Sequence, residues 1–484
     1  RSPTDRAHGR RTDRRRRVIL RLVLRSLALR PARSLLLLLG YALGVAVMVA
    51  LLSIGDALVE QSRDRELLRG GDLVVLPAGI DLETLRTGGV SSLYFTLEQA
   101  PYLYREVLTG PRTAAAVDAV APWIDDELLY LEVDGVVTPV SAAGEIPSRA
   151  AALASPAEVA DGLWRDDLAD TRWMTPTDRD RLAAIDAFHR PPEAAGDTTW
   201  AEWHYFSLLS ADSEEWLYVT FLVGGDMAGD RWAGQVLVTL TGNDGAVQRW
   251  QHDVEPQAID LSFSAPDVRL GESSVTLRPD GTYAVSVTVP GFVAEFDVVP
   301  DPRKYLSAVD VSPGDFVSGY TVPVLRGTSD ARVCAGPRCS NWPLARAYHD
   351  HNWGFWRDVT WDWGQAHAGD LSVLYGGVGR DEPGEAASSP RSRFLFVFDS
   401  LGLAGVLPVR DISYDWDEGS PTGLRVRAEQ GASWLDLTVN VSHAARTART
   451  EAIFFQMRGE ARVEAEIQGR RRTERGDGFF ETWR

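Results

Sequence analysis

Two hydrophobic patterns divide the 484-residue chain. The first is one unbroken apolar run, Ser34–Ile54, 21 residues without a charge. As a helix rising about 1.5 Å per residue it spans roughly 31 Å, the hydrocarbon thickness of a bilayer, and it predicts a single transmembrane helix. A cleaved signal peptide is the competing reading. A signal core is shorter, roughly 7–15 residues, and Ala50-Leu51-Leu52-Ser53 makes a poor cleavage site. The second pattern begins at Trp200, where short alternating runs are punctuated by turn signals. Gln235–Leu240 precedes Asn243-Asp244-Gly245; Ser274–Leu277 precedes Pro279-Asp280-Gly281, and Tyr283–Val289 follows. Asp-Gly between alternating runs marks a β-hairpin, and its repetition predicts antiparallel sandwiches or barrels.

Between these patterns the signal is mixed. Leu73–Leu76 and Leu128–Val133 read as strands, with Asp134-Gly135 as a hairpin turn before Val136-Val137. The stretch after it is acidic and helical up to Pro191-Pro192. The predicted organisation is a basic cytoplasmic segment (1–33), a transmembrane helix (34–54), a small α+β extracytoplasmic domain (55–150), an acidic helical connector (151–198), and two barrels at 199–330 and 331–484. The divide is expected near 325–345, beside Cys334 and Cys339, which could close a small disulfide loop in an oxidising compartment.

Charge orients this arrangement. The formal net charge is −18, yet residues 1–33 hold twelve Arg against two Asp, leaving −28 for the remainder. The positive-inside rule places the N-terminus in the cytoplasm and everything after Gly55 outside, as a single-pass protein of a bacterial cell membrane. An acidic body also argues against nucleic-acid binding, which needs a basic surface. Gly40 and Gly44 form a GxxxG pair that would let a second helix approach closely.

The chemistry is concentrated in Ala347–Gly354, AYHDHNWG. On a strand, His349, His351 and Trp353 share one face, and Tyr348, Asp350 and Asn352 the other. Buried polar groups need partners or they cost about 1–3 kcal/mol each. Three readings follow. One is a hydrogen-bonded network that pins the sheet. Another is a metal site on His349 and His351; no third ligand lies near in sequence, His367 and Glu202 are only guesses, and no metal or cofactor is assigned. The third is a ligand pocket, catalytic or not. Trp342, Trp353, Trp356, Trp361 and Trp363 favour the pocket, because aromatic faces take up apolar or cationic ligands.

The N-terminal stretch LALRPARSLLLLLGYALGVAVMVALLSIGDAL, with GGDLVVLPAG at 70–79, resembles the start of an ABC-transporter permease of the lipoprotein or macrolide exporter type. The three further membrane helices of such permeases are missing, as is a phosphate-binding loop. The resemblance implies permease subunits as partners. YHDHNWG at 348–354 is similar to the signature of the carotenoid 1,2-hydratases (hydroxyneurosporene synthases) and their AttH-like relatives, and EWHYFSLLS at 202–210 resembles the same family's upstream block. That resemblance implies two lipocalin-like antiparallel barrels, an apolar isoprenoid or lipid ligand, and a hydro-lyase chemistry on an isoprenoid C=C bond. His351, Trp353, Tyr375 and Asp350 would be catalytic. Tyr348, His349, Asn352, Glu202, Trp203, Tyr205, Trp361 and Trp363 would line the ligand. The chain departs from the pattern where Gly376 and Gly377 follow Tyr375 in place of an expected carboxylate, and at His204, where a Trp is expected. The runner-up function is a non-catalytic accessory subunit of an ABC-type lipid or lipoprotein exporter.

Overall fold

The computed structural model describes residues 100–153, 165–189 and 200–483, apart from 134, 213, 228–230, 311–317, 357–358, 381–391 and 449–452, with a few positions in 31–48 and at 73. Most of the expected membrane span and of residues 55–99 lies outside the described residues. Gly40 is helical and exposed, and Gly44 is not described. No described helix is long and apolar enough to cross a membrane.

Two compact units emerge. The first contributes the hairpin β1 (Trp123–Val133) and β2 (Val136–Glu145), with Gly135 at φ 77° in the turn, and helix α2 (Pro147–Leu153). The second holds α1 (Ala100–Thr109), α3 (Leu168–Met174), α4 (Asp178–Asp186) and all later strands. Here the predicted alternation is realised. Its first sheet takes β3 (Trp200–Leu209), β4 (Trp216–Asp226), β5 (Arg231–Thr241), β6 (Val247–Val254), β7 (Ile259–Leu261), β8 (Val268–Leu270), β9 (Ser273–Leu277), β10 (Tyr283–Val289), β11 (Phe292–Pro300), β12 (Leu306–Asp310), β13 (Ser318–Ala335) and β14 (Arg338–Phe355). The order runs β6-β5-β4-β3-β14-β13-β11-β10-β9-β8-β7, with β12 beside β13. The sheet curls until its ends nearly meet: a Cβ on Gly234 of β5 would stand 2.8 Å from Ile259 Cδ1 of β7.

The second sheet is a closed eight-stranded barrel of β15 (Val359–Ala368), β16 (Leu371–Arg380), β17 (Ser392–Asp399), β18 (Gly402–Asp417), β19 (Ser420–Gln430), β20 (Ser433–Ala448), β21 (Ile453–Ile467) and β22 (Arg470–Trp483). The first barrel therefore extends to Phe355, and the expected divide near 325–345 is corrected. The stretch expected to hold the divide is the turn between two 18-residue strands, and Cys334 and Cys339 are bonded across it.

Each barrel has its own apolar core, and a third cluster joins them. The joint is aromatic: Tyr205, Tyr218 and Tyr348 of the first sheet meet Trp363, Phe398 and Phe479 of the second. Helix α4 plugs the first barrel. Thr177 caps its start, accepting from the Asp180 backbone N–H while Asp180 accepts in return from the Thr177 backbone. Leu182 is fully buried, and Phe188, just past the helix end, joins the same core. The apolar face of α4 thus fixes where its last residue, Asp186, enters the barrel.

The seam that closes the second barrel is the β15–β22 pairing, and it admits no side chain at Gly476. A Cβ there would lie 1.8 Å from the His367 carbonyl oxygen. Gly476→Ala is expected to cost about 1–3 kcal/mol or more and to lower the thermal unfolding midpoint by several degrees. An unchanged midpoint would show that the seam is looser than described.

Candidate functional site

Strands β3 and β14 pair antiparallel, so the two chemistry-bearing blocks of the sequence lie across from each other. His349 stands opposite Phe206, His351 opposite His204, and Trp353 opposite Glu202. Because side chains alternate, all six point to the inner face of the first barrel. Except for Trp353, at 9% exposure, all are fully buried.

A carboxylate from outside both strands organises them. Asp186 Oδ2 accepts from the Tyr283 hydroxyl (2.8 Å) and from His349 Nε2 (2.9 Å). Its Oδ1 lies 3.0 Å from His351 Nδ1 and 3.7 Å from His204 Nδ1. His349 Nδ1 donates to the Tyr205 carbonyl at 3.0 Å. The other nitrogen of His351, Nε2, is 2.8 Å from Glu202 Oε1, and that oxygen also accepts from the His189 backbone N–H (2.8 Å) and ring Nδ1 (2.9 Å). The His189 side chain is 35% exposed and its ring stacks on Trp353, centroids 3.8 Å apart and planes 18° apart. The chain of contacts thus runs from the buried Asp186 to the partly exposed His189, stacked on the largely buried Trp353.

The electrostatics follow from these partners. Burial works against charge on His351, but hydrogen bonds to Asp186 and Glu202 outweigh it and hold its pKa up at about 9. Burial likewise opposes ionisation of Asp186; the facing His349 and His204, with hydrogen bonds from His349 and His351, overcome it and keep the carboxyl well below its ordinary range. Glu202 is lowered against its burial by hydrogen bonds from His189 and His351. His204 is pushed well below the usual histidine value, first by burial and then by the charge on His351, on which its ring stacks at 4.0 Å. Among the described residues, His204 Nε2 and Glu202 Oε2 are buried without a hydrogen-bond partner.

The opposite face of β14 is buried too, against the second barrel. The Tyr348 hydroxyl donates to Asp350 Oδ2 (2.7 Å) and accepts from Trp363 Nε1 (2.9 Å), while Asn352 donates to Asp350 Oδ1 (2.8 Å). Close by, Gln456 Nε2 donates to the Tyr205 hydroxyl and to Glu481 Oε1, each at 3.2 Å. With no cation built in, burial dominates. Asp350 rises to about 6, and Glu481, burdened also by Asp350, to about 8.

The structure therefore brings His349, His351, Trp353 and Glu202 together on one side of the sheet. Tyr348, Asp350, Asn352, Tyr205 and Trp363 lie on the other. Trp203 packs against Trp356, and Trp361 stacks on Trp483. Tyr375 is buried in the second barrel's core against Phe480, in a different apolar cluster from the one that surrounds His349 and His351. His367, one of the two guessed third ligands, bonds Ser372 in the second barrel, whereas Glu202, the other guess, does reach His351. Asp186, His189 and Tyr283 were not legible as site residues. Their only sequence signals are a capped helix ending at Asp186 and the Pro191-Pro192 stop just beyond His189. The metal site expected on His349 and His351 is not the one formed: among the described residues the donor trios contain His351 but not His349. Asp186, His204 and His351, and separately His189, Glu202 and His351, each hold three donor atoms within 4.8 Å of one another.

No family model matches the chain, and no curated protein matches it. Solved structures that align with it include an AttH-type protein of Nitrosomonas europaea, at 14% identity and TM-score 0.42, covering 61% of this chain and 96% of that one. Kievitone hydratase from Nectria haematococca aligns at 11% identity and TM-score 0.43, covering 62% and 93%. CghA, solved with Sch210972, aligns at 14% identity and TM-score 0.41, covering 64% and 95%. Likeness at this level assigns neither family nor activity.

The two faces of β14 predict opposite pH responses. Glu481 and Asp350 keep their protons to higher pH in the fold than in the unfolded chain. Their contribution is fully present below about pH 4 and is lost as pH rises through about 6 and about 8. Glu481→Gln should therefore raise stability at pH 8.5 by an amount on the order of a few kcal/mol and change it little near pH 4. Thermal unfolding at the two pH values checks this; an equal effect at both would mean that Glu481 is not held protonated.

Proposed function

We propose that this protein is a lipocalin-like, double-barrelled binder of an apolar isoprenoid or lipid, and that it carries out hydratase-type acid–base chemistry on the bound molecule. The observation that carries the reading is the stacked pair Trp353 and His189, at the end of the chain Asp186–His351–Glu202. An indole face stabilises a carbocation that forms beside it. A line of hydrogen-bonded carboxylates and imidazoles holds a proton and passes it without water. His351 has both nitrogens engaged by carboxylates, so His189 is the histidine placed to meet a ligand. In this reading Asp186 and His351 position it, and Trp353 contacts the ligand directly.

The indole's seat supports a dedicated role. Trp353 lies flat over Gly319 of β13, where a Cβ would come within 2.3 Å of its Cζ2. Anchoring to a bacterial membrane through residues 34–54 belongs to the same proposal, and the Cys334–Cys339 bond suits an oxidising extracytoplasmic compartment. A second reading, a non-catalytic accessory of an ABC-type exporter permease, is favoured by how tightly the inner face is filled. Phe188 and Phe206 pack directly on the His204, His351 and His349 rings, as a network that only pins the sheet would require.

Equilibrium dialysis of the full chain against farnesol and retinol separates the readings. Losing the indole contact removes about 1–2 kcal/mol of apolar burial, roughly a tenfold change in affinity. Wild type is expected to take up at least one probe, with both Trp353→Ala and Gly319→Ala weakened about tenfold. No uptake by wild type, together with an organic extract of the purified protein that contains no lipid, would contradict ligand binding and favour the accessory reading.

A further inference from the structure

Two trios of metal-type donors share His351, and ring orientation separates them. In the inner trio, His204 lies almost flat on His351, with planes 26° apart and centroids 4.0 Å apart. An imidazole binds an ion along the lone pair in its own plane, and two rings stacked face to face cannot both aim at one point. In the outer trio the rings of His189 and His351 are 5.7 Å apart and inclined at 56°, so their planes converge. His189 Nδ1 and His351 Nε2 both already approach Glu202 Oε1, at 2.9 and 2.8 Å. The second oxygen of that carboxylate is buried and has no partner among the described residues.

We infer that His189 Nδ1, Glu202 and His351 Nε2 bind a divalent transition-metal ion. Two imidazoles and one carboxylate on one side of an ion are the donor set of zinc and non-haem iron(II) sites that keep coordination positions open. The three donor atoms lie within 4.8 Å of one another, and bonds of about 2.0–2.2 Å to one ion would part Glu202 Oε1 from the two nitrogens by a few tenths of an ångström. The support expected behind a metal-bound histidine is also in place. The far nitrogen of His351, Nδ1, bonds Asp186, which Tyr283 and His349 hold in turn. The half-exposed His189 puts the open positions on the solvent side, beside Trp353. The ion would supply a bound, activated water or a Lewis acid at that point. Binding the ion would displace the protons that join His189 and His351 to Glu202, so the metal-bound form is an alternative to the proton-holding chain proposed above, and the inference concerns metal binding alone.

The test uses the purified full chain, stripped with chelator and titrated calorimetrically with Zn2+, and with Co2+ followed by its visible ligand-field bands. One equivalent is expected to bind, with ligand-field bands of a nitrogen–oxygen site. His189→Ala and Glu202→Gln should each weaken binding at least tenfold, and Asp186→Asn by 10–100-fold. His204→Ala should leave it within about threefold. His189 is at the barrel's rim, so its replacement tests the site even if the buried variants fold poorly. Absence of binding by wild type overturns the inference. So does loss of binding in His204→Ala with retention in His189→Ala, which would place the ion in the inner trio.

Discussion

One buried carboxylate holds this architecture in register. Asp186 is fully buried in the apolar interior of the first barrel, where an unpaired charge costs several kcal/mol. The fold meets that cost by bringing a phenol from β10 and two imidazoles from β14 onto its two oxygens, with a third imidazole from β3 close by. The four partners come from three strands far apart in the chain, so the ion network ties the helix plug to all three. It also explains why polar residues tolerate this position. Within the cluster His351 sits between two carboxylates, Asp186 and Glu202.

The density of chemistry in Tyr348–Gly354 has a structural reason. Strand β14 is buried on both sides, inward in its own barrel and outward against the second. Each face must therefore satisfy its own polar groups. The two faces reach opposite solutions from the same residue types. Asp186, facing imidazoles, is held ionised; Asp350, facing a phenol, an amide and Glu481, is pushed towards its neutral form. His349 and His351, on the other face of the strand, do lower Asp350, but its burial outweighs them.

Local rules in the sequence were sufficient for much of this. The Asp-Gly turns predicted the β5–β6 and β9–β10 hairpins, and period-two alternation put His349, His351 and Trp353 on one face. The missed features are those that depend on long-range contact. Nothing near Asp186 announces that a helix end will meet a strand more than 160 residues later. His189 gains meaning only when Glu202 folds over it. The barrel boundary was misplaced because the divide was set by halving the β-rich length, whereas the two long strands around the disulfide both belong to the first sheet. Tyr375 followed a family pattern whose carboxylate this chain lacks two residues on, at Gly377, and it lies in the other barrel's core.

Asp186 and His351 act as a unit in this fold. A double-mutant cycle in urea unfolding, with Asp186→Asn, His351→Gln and the double variant, measures that coupling directly. The two losses are expected to be strongly non-additive, with a coupling of about 1–3 kcal/mol. Losses that simply add, within about 0.3–0.5 kcal/mol, would contradict it.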